Sequence, residues 1–317
     1  MIRERVLEDV LRAWGLELGR VREDLRIDGS PDRCEFRTVV EDGDGNLFVL
    51  ESVRAADVER KRSIARALSF LAEKGLSQVR SYVPSDPDDY VVFRANAYWQ
   101  LAPYVEGVPL ARPEYAFEGW RGPALADFLI DLRDRTRGAP LFDSAPSFSI
   151  VSFIRDLART VERREPLLYL RIRPALVHLE QDFMAAHDRF PVRFCHGDYH
   201  PLNVIWSEKG IRAVIDWEFL GTRPELFDAA MMIGCLGMED PQSLTGDLVF
   251  SFIERLKASG AAAAPSWAHL FDLVLALRFA WLADWLKRSD AEMIELEAVY
   301  MGLLLDNRGI FARSWEV

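Results

Sequence analysis

The spacing of apolar residues changes near residue 107. Before it, short apolar runs alternate with turn formers. After it, apolar residues recur every three to four positions. Residues 3–14 read as a short amphipathic helix, and a strand is expected near Val21–Ile27, before the turn-rich DGSPDR of Asp28–Arg33. CEFRTVV and NLFVLESV are strand-like and flank EDGDG (Glu41–Gly45), a hairpin turn signal. ADVERKRSIARALSFLAEKGL reads as a helix stopped at Gly75, with Ile64, Leu68 and Leu71 at helical spacing. Two short strands in DYVVFRANAYWQLAPYVEG complete a small antiparallel sheet with one helix on it. In the next segment Leu125, Phe128, Leu129 and Leu132 fall at i, i+3, i+4 and i+7. Further helices are expected near 149–162, 166–188, 225–237, 245–258, 266–286 and 290–305, with SGAAAAPS (Ser259–Ser266) as a small-residue linker. One β island interrupts them, Cys195–Glu218. The pattern predicts an α+β protein of two lobes: a β-rich one over 1–103 and a helical one over 104–317 that carries the hairpin.

Half of the 317 residues are apolar, enough for a large core. A net charge of −11 argues against nonspecific nucleic-acid binding, which needs a basic surface. The spacings of Cys34, Cys195 and Cys235 fit neither a zinc knuckle nor a disulfide frame, so reduced thiols are expected. The start, MIRERVLEDVLRAWGLE, lacks an apolar signal core. LFDLVLALRFAWLADWL is broken by Asp272, Arg278 and Asp284, so it is not read as a bilayer span. Together these predict a soluble cytoplasmic protein with neither a membrane nor a nucleic-acid partner.

The chemistry is concentrated in CHGDYHPLNVIWSEKGIRAVIDWE. Three readings compete. In an extended chain His196, Asp198 and His200 share one face and suit zinc, the ligand set of a metal-dependent hydrolase. Gly197 and Pro201 point instead to a loop, and His178, His187 and His269 form no second cluster. A polar turn without chemistry is the bland reading: His200 as a loop hydrogen-bonder, Cys195 as a buried thiol, Asp228 as a helix cap. The third is phosphoryl transfer. Asp198 and Asn203 have the spacing D-x-x-x-x-N of the protein-kinase catalytic loop. A carboxylate accepts a hydroxyl proton, and an amide reaches Mg²⁺ beside the phosphate. The hairpin of NVIW and IRAVID across SEKG carries Asp216 back towards Asn203 as a second oxygen ligand.

HGDYHPLN followed by VIDWE resembles the aminoglycoside phosphotransferase and choline kinase group, whose fold is similar to that of protein kinases. NLFVLESV resembles the third strand of that fold's small lobe, YWQLAPYVEGVPL its inter-lobe hinge, PELFDAAMM the segment after the metal aspartate, and LRFAWLADWL late helices of homoserine kinase-like and sugar kinase-like members. The resemblance implies a kinase that moves the γ-phosphate of ATP to a hydroxyl of a small molecule. Asp198 is then the catalytic base, and Asn203 and Asp216 hold Mg²⁺. His196 and Asp228 support the loop, with Glu218 assisting metal or acceptor. Backbone groups of Gln100, Leu101 and Ala102 face adenine, and Ser30 with nearby turn amides caps phosphates. The acceptor, expected against residues 225–300, can be an amino alcohol, a sugar, homoserine or an aminoglycoside.

One position departs from the pattern. The family places a phosphate-binding lysine on the third strand, where this chain has Glu51, and a carboxylate repels phosphate. Either Arg54 serves instead, or the pair is inverted and Arg60, Lys61 or Arg62 of the next helix faces the phosphates, or the chain is a pseudokinase.

Overall fold

The computed structural model describes residues 4–29, 34–86, 89–139 and 148–317. The contacts divide the chain into two compact units, Met1–Pro109 with Leu202–Phe219, and Leu110–Pro201 with Leu220–Val317. The hairpin after the D-x-x-x-x-N segment therefore packs with the first unit, whereas a cut at residue 103 leaves it with the second.

In the first unit, helix α1 (Glu4–Leu11) buries Leu7, Val10 and Leu11, one face at helical spacing. They pack on Val40, Leu50, Trp99 and Leu101 of a five-stranded antiparallel sheet. Its strands are β1 (Leu18–Val21), β2 (Arg37–Asp42), β3 (Leu47–Val53), β4 (Val91–Arg94) and β5 (Ala97–Pro103), in the order β1-β2-β3-β5-β4. At the β2–β3 turn the Asp42 carboxylate accepts from the N–H groups of Asp44 and Asn46 at 3.0 and 2.8 Å. The β4–β5 turn uses Ala95 and Asn96 at φ 49° and 61°, the double left-handed pair of a tight hairpin. Helix α2 (Val58–Glu73) follows β3, and its Val58 clusters with Val53 and Val91. Alternation along β3 thus sends Leu50 towards α1 and Glu51 to the face where α2 packs. Strands Val204–Trp206 and Ile211–Val214 form the hairpin, tied to this unit by Val108 N–H to Trp206 O and Val214 N–H to Gln78 O, both 2.9 Å.

The second unit is mainly helical. Helix Arg121–Thr136 buries Leu125, Phe128 and Leu132. Helix Leu270–Arg288 is buried almost continuously over Leu270–Phe279, which accounts for the most hydrophobic late segment of the sequence. Among the described residues no helix is long and apolar enough to cross a membrane.

Several expectations need correcting. The first strand is Leu18–Val21, not Val21–Ile27. A bulge between Leu18 and Arg20 breaks its alternation, and a Cβ on Gly19 would sit 2.6 Å from the carbonyl oxygen of Asp42. The helix expected over 166–188 ends at Gln181 and is followed by a separate turn, Phe183–Ala186. The small-residue linker ends in a helical turn, Ala264–Trp267, and a further helix, Arg308–Trp315, closes the chain. Cys195–Glu218 is not the only β structure of the second half. Val192–Cys195 pairs with Gly221–Pro224, a long-range pairing that local pattern does not announce. Ser30 lies outside the described residues.

Candidate active site

In the second unit, strand Val192–Cys195 delivers the HGD segment. Asp228, in the first turn of helix Phe227–Glu239, accepts from the backbone N–H groups of His196 at 2.7 Å and Gly197 at 2.9 Å. Gly197 has φ 85°, a left-handed conformation that a side chain would strain. Burial pushes the Asp228 carboxyl up to about 6, while the two amides favour its charged form. His196 is fully buried, and its Nδ1 accepts from the N–H of Asp198 at 3.2 Å. One residue beyond, Tyr199 is buried, donates to Leu125 O at 3.1 Å and stacks on Phe128 with centroids 5.4 Å apart. The backbone at Asp198 is thus anchored on both sides, by Asp228 through its two N-terminal neighbours and by Tyr199. His200 Nε2 lies 3.7 Å from Asp198 Oδ1, and its ring stands edge-on to Trp281 at 6.1 Å. Trp281 and Trp285 are half-buried and stacked at 5.8 Å.

His196 Nδ1 accepts from the Asp198 backbone N–H, and among the described residues no three His, Cys, Asp or Glu side chains are grouped to hold a metal ion. The three cysteines are free; burial pushes the Cys195 thiol well up and that of Cys235 to about 12, which suits inert thiols.

In the first unit, Asn203 is buried and its carbonyl accepts from Ile215 N–H at 2.9 Å, which closes the hairpin and sets Asp216 beside it in the chain trace. Asp216 has φ 68°, a left-handed conformation unusual outside glycine, as functional turns often show. A cleft in this unit is lined by Val49, Glu51, Lys61, Tyr82, Ala102, Tyr104, Ile215, Asp216 and Glu218, among others. Counted out to its open mouth it encloses about 760 Å³. Lys61 comes from α2, is almost wholly buried, and pairs with the Glu218 carboxylate. Arg60 donates to the Glu218 carbonyl at 2.7 Å. Burial pushes the Tyr82 phenol up, with Glu51, Glu218 and Asp216 adding to the rise.

Of the adenine-facing residues expected, Ala102 lines the cleft, whereas Gln100 and Leu101 are wholly buried. Gln100 is paired with Glu51 on one side and Val91 on the other. Its carboxamide nitrogen and oxygen have no hydrogen-bond partner. Arg54 lies past the end of β3 and pairs with Asp57 at 2.8 Å. Arg37, Tyr82 and Tyr104 were not foreseen as cleft residues. Arg37 carries no periodic signal, and Tyr82 sits in an irregular segment. Lys61 was one of the helix cations the sequence offered, and it shares a helical face with Val58, Ile64, Ala65 and Leu68.

A search of curated protein sequences found no match to this chain. Solved structures share its fold at low identity. An aminoglycoside phosphotransferase from Alicyclobacillus acidocaldarius is similar over 100% of this chain and 96% of its own, at TM-score 0.64 and 15% identity. The GDP complex of aminoglycoside 2'-phosphotransferase-IIIa is similar over 97% and 100%, at TM-score 0.68 and 17% identity. A macrolide 2'-phosphotransferase from Brachybacterium faecium is similar over 94% and 98%, at TM-score 0.61 and 17% identity. The α+β architecture is therefore the protein kinase-like one expected from the motifs. The model of the phosphotransferase enzyme family matches residues 31–264, and with most of its length covered the chain belongs to that family.

Proposed function

We propose that this chain is a small-molecule kinase that transfers the γ-phosphoryl group of ATP to a hydroxyl. One observation carries the reading. The hairpin closure between Asn203 and Ile215 brings an amide and a carboxylate, Asn203 and Asp216, to one end of two short strands, and Asp216 opens on a cleft that Ala102 also lines. Both side chains offer the hard oxygen donors that Mg²⁺ prefers and would hold it there. When bound, the ion offsets charge between the β- and γ-phosphates.

The chain's own residues do the rest. The Asp198 carboxylate accepts the acceptor's hydroxyl proton as that oxygen bonds to phosphorus, and the bond to the bridging oxygen breaks to release ADP. Asp228 and His196 hold the backbone that presents it. Adenine is assigned to backbone groups along Gln100–Ala102, with Ala102 at the cleft wall. Glu218 engages Lys61. Structures of the fold relatives support nucleotide and divalent-metal use: spectinomycin phosphotransferase was solved with ADP and spectinomycin, and amicoumacin kinase with AMP-PNP and Ca²⁺. For this chain an amino alcohol, a sugar, homoserine or an aminoglycoside fits the proposed chemistry.

Glu51 at the strand position favours a second reading, a nucleotide-binding pseudokinase. A panel of hydroxylated metabolites assayed for ADP release with Mg²⁺-ATP separates the two. A kinase releases ADP with at least one acceptor, and Asp198→Asn abolishes release while calorimetry still detects ATP. Binding without release by the wild type selects the pseudokinase, and absence of binding at millimolar nucleotide removes both.

A further inference from the structure

We propose that Lys61, delivered by α2, is the cation that grips the nucleotide's phosphates, with Glu218 as the carboxylate that holds it at the cleft and Glu51 on the same lining. This rests on the kinase reading above and states how the chain answers the loss of a strand lysine.

The register of the sheet decides the matter first. Glu51 is opposite Gln100, and Val49 opposite Ala102, so Val49 and Glu51 share the cleft face. Leu50 points into the core under α1. A one-residue shift would bury Glu51 and expose Leu50, so the acidic residue truly occupies the cleft position of β3. A two-residue shift brings up Val53, packed against Val58 and Val91. No slip within β3 puts a cation there.

The neighbouring cations are then eliminated one by one. Arg54 is held by Asp57 at 2.8 Å outside the strand. Arg62 makes a two-pronged pair with Asp89, at 2.9 and 2.7 Å. Arg60 serves the Glu218 carbonyl at 2.7 Å. Arg37 lines the cleft but donates to the carbonyls of Asp28 and Gly29 at 3.3 and 3.1 Å, which ties it to that turn. Lys61 lines the cleft, and its ammonium pairs with a carboxylate that also lines it.

Charge balance points the same way. Asp28, Glu51, Asp216 and Glu218 line the cleft against Arg37 and Lys61. A polyphosphate entering such a lining meets net repulsion unless a buried ammonium and a divalent ion both face it. An ammonium on the apolar face of a helix is costly to keep, and three donor hydrogens on a four-carbon stem let it serve Glu218 and a phosphate oxygen together. Relative to the family pattern, a carboxylate, Glu51, stands on the strand, and the ammonium, Lys61, comes from the helix that follows.

Calorimetry with Mg²⁺-ATP, Mg²⁺-ADP and adenosine on the wild type and on Lys61→Met tests this. Loss of one charge-assisted contact weakens ATP by about ten- to hundredfold and leaves adenosine unchanged. A wild type that binds no Mg²⁺-ATP removes the kinase reading itself. A wild type that binds, beside a folded Lys61→Met that binds ATP within about threefold, overturns only the assignment of Lys61. A crystal structure of the wild type with Mg²⁺ and a non-hydrolysable ATP analogue does not depend on any variant folding. Lys61 Nζ within hydrogen-bond distance of a phosphate oxygen is expected; Nζ paired with Glu218 alone, and phosphates held by another side chain, overturns the proposal.

Discussion

Each unit buries an ion pair, and the two are built differently. In the second unit Arg278 meets Glu297 through Nε at 2.6 Å and Nη2 at 2.7 Å, with side chains 3% and 0% exposed. Trp285 donates to the same carboxylate at 3.4 Å, and the guanidinium sits over the rings of Trp281 and Tyr300 at 5.6 and 5.3 Å. One charge faces one charge in a two-pronged fit, enclosed by aromatic rings. In the first unit Lys61 meets Glu218 at the wall of an open cleft, with Glu51 and Asp216 on the same lining. A sealed, balanced pair stabilises one packing of helices; an open pair with surplus charge is poised for a charged ligand.

The strongest test of that contrast is stability. Arg278→Met strands a buried carboxylate and should cost about 3–5 kcal/mol in urea unfolding. Arg278→Met with Glu297→Leu should recover most of it, because the uncompensated charge is gone. A double variant as unstable as the single one would break the idea that charge balance sets the cost.

Asp228 is a third buried carboxyl, hydrogen-bonded by two backbone amides with the Arg223 charge nearby, and it sharpens the comparison through pH. Its folded carboxyl sits near 6, against 3.8 unfolded. The folded state therefore holds the proton more tightly, so the contribution is fully present below 3.8 and is lost as pH rises through 6. The stability of the wild type relative to Asp228→Asn should fall across that window by up to about 3 kcal/mol. A flat or rising difference between the two melting curves would show that the amides outweigh burial.

Lys61→Met should cost less than about 2 kcal/mol of stability, because Glu218 can turn to solvent at the cleft. A loss as large as that of Arg278→Met would erase the distinction between the two pairs. The smallest effect is expected at Gln100, whose carboxamide is buried without a partner beside the same cleft. Gln100→Met keeps the volume and should raise stability by about 1 kcal/mol, read as a higher melting temperature. A drop would mean that the amide is bonded in solution.

Much of this fold was legible because its signals are local. The turn at Glu41–Gly45 and the apolar faces of α1 and α2 announce themselves in neighbouring residues. What failed was non-local or irregular. The bulged strand Leu18–Val21 hid its alternation, and the pairing of Cys195 with Gly221 spans residues that share no pattern. The site divides in the same way. The proposed residues Asp198, Asn203 and Asp216 are spelled by spacing, because one short loop and one hairpin carry them. The ranking of Arg54, Arg60, Lys61 and Arg62 depended on helix phase against a sheet register, which no stretch of sequence contains.

The polypeptide visits the first unit, leaves it after Pro109, returns at Leu202 and departs again after Phe219. Neither unit is thus a cassette that a single cut could release. Residues 1–109 made alone would lack the strand whose N–H reaches Gln78 O, along with Asp216 and the carboxylate that partners Lys61. Recombination between relatives would have to exchange two separated blocks at once, so the two units of such a protein are expected to diversify by point substitution and not by shuffling.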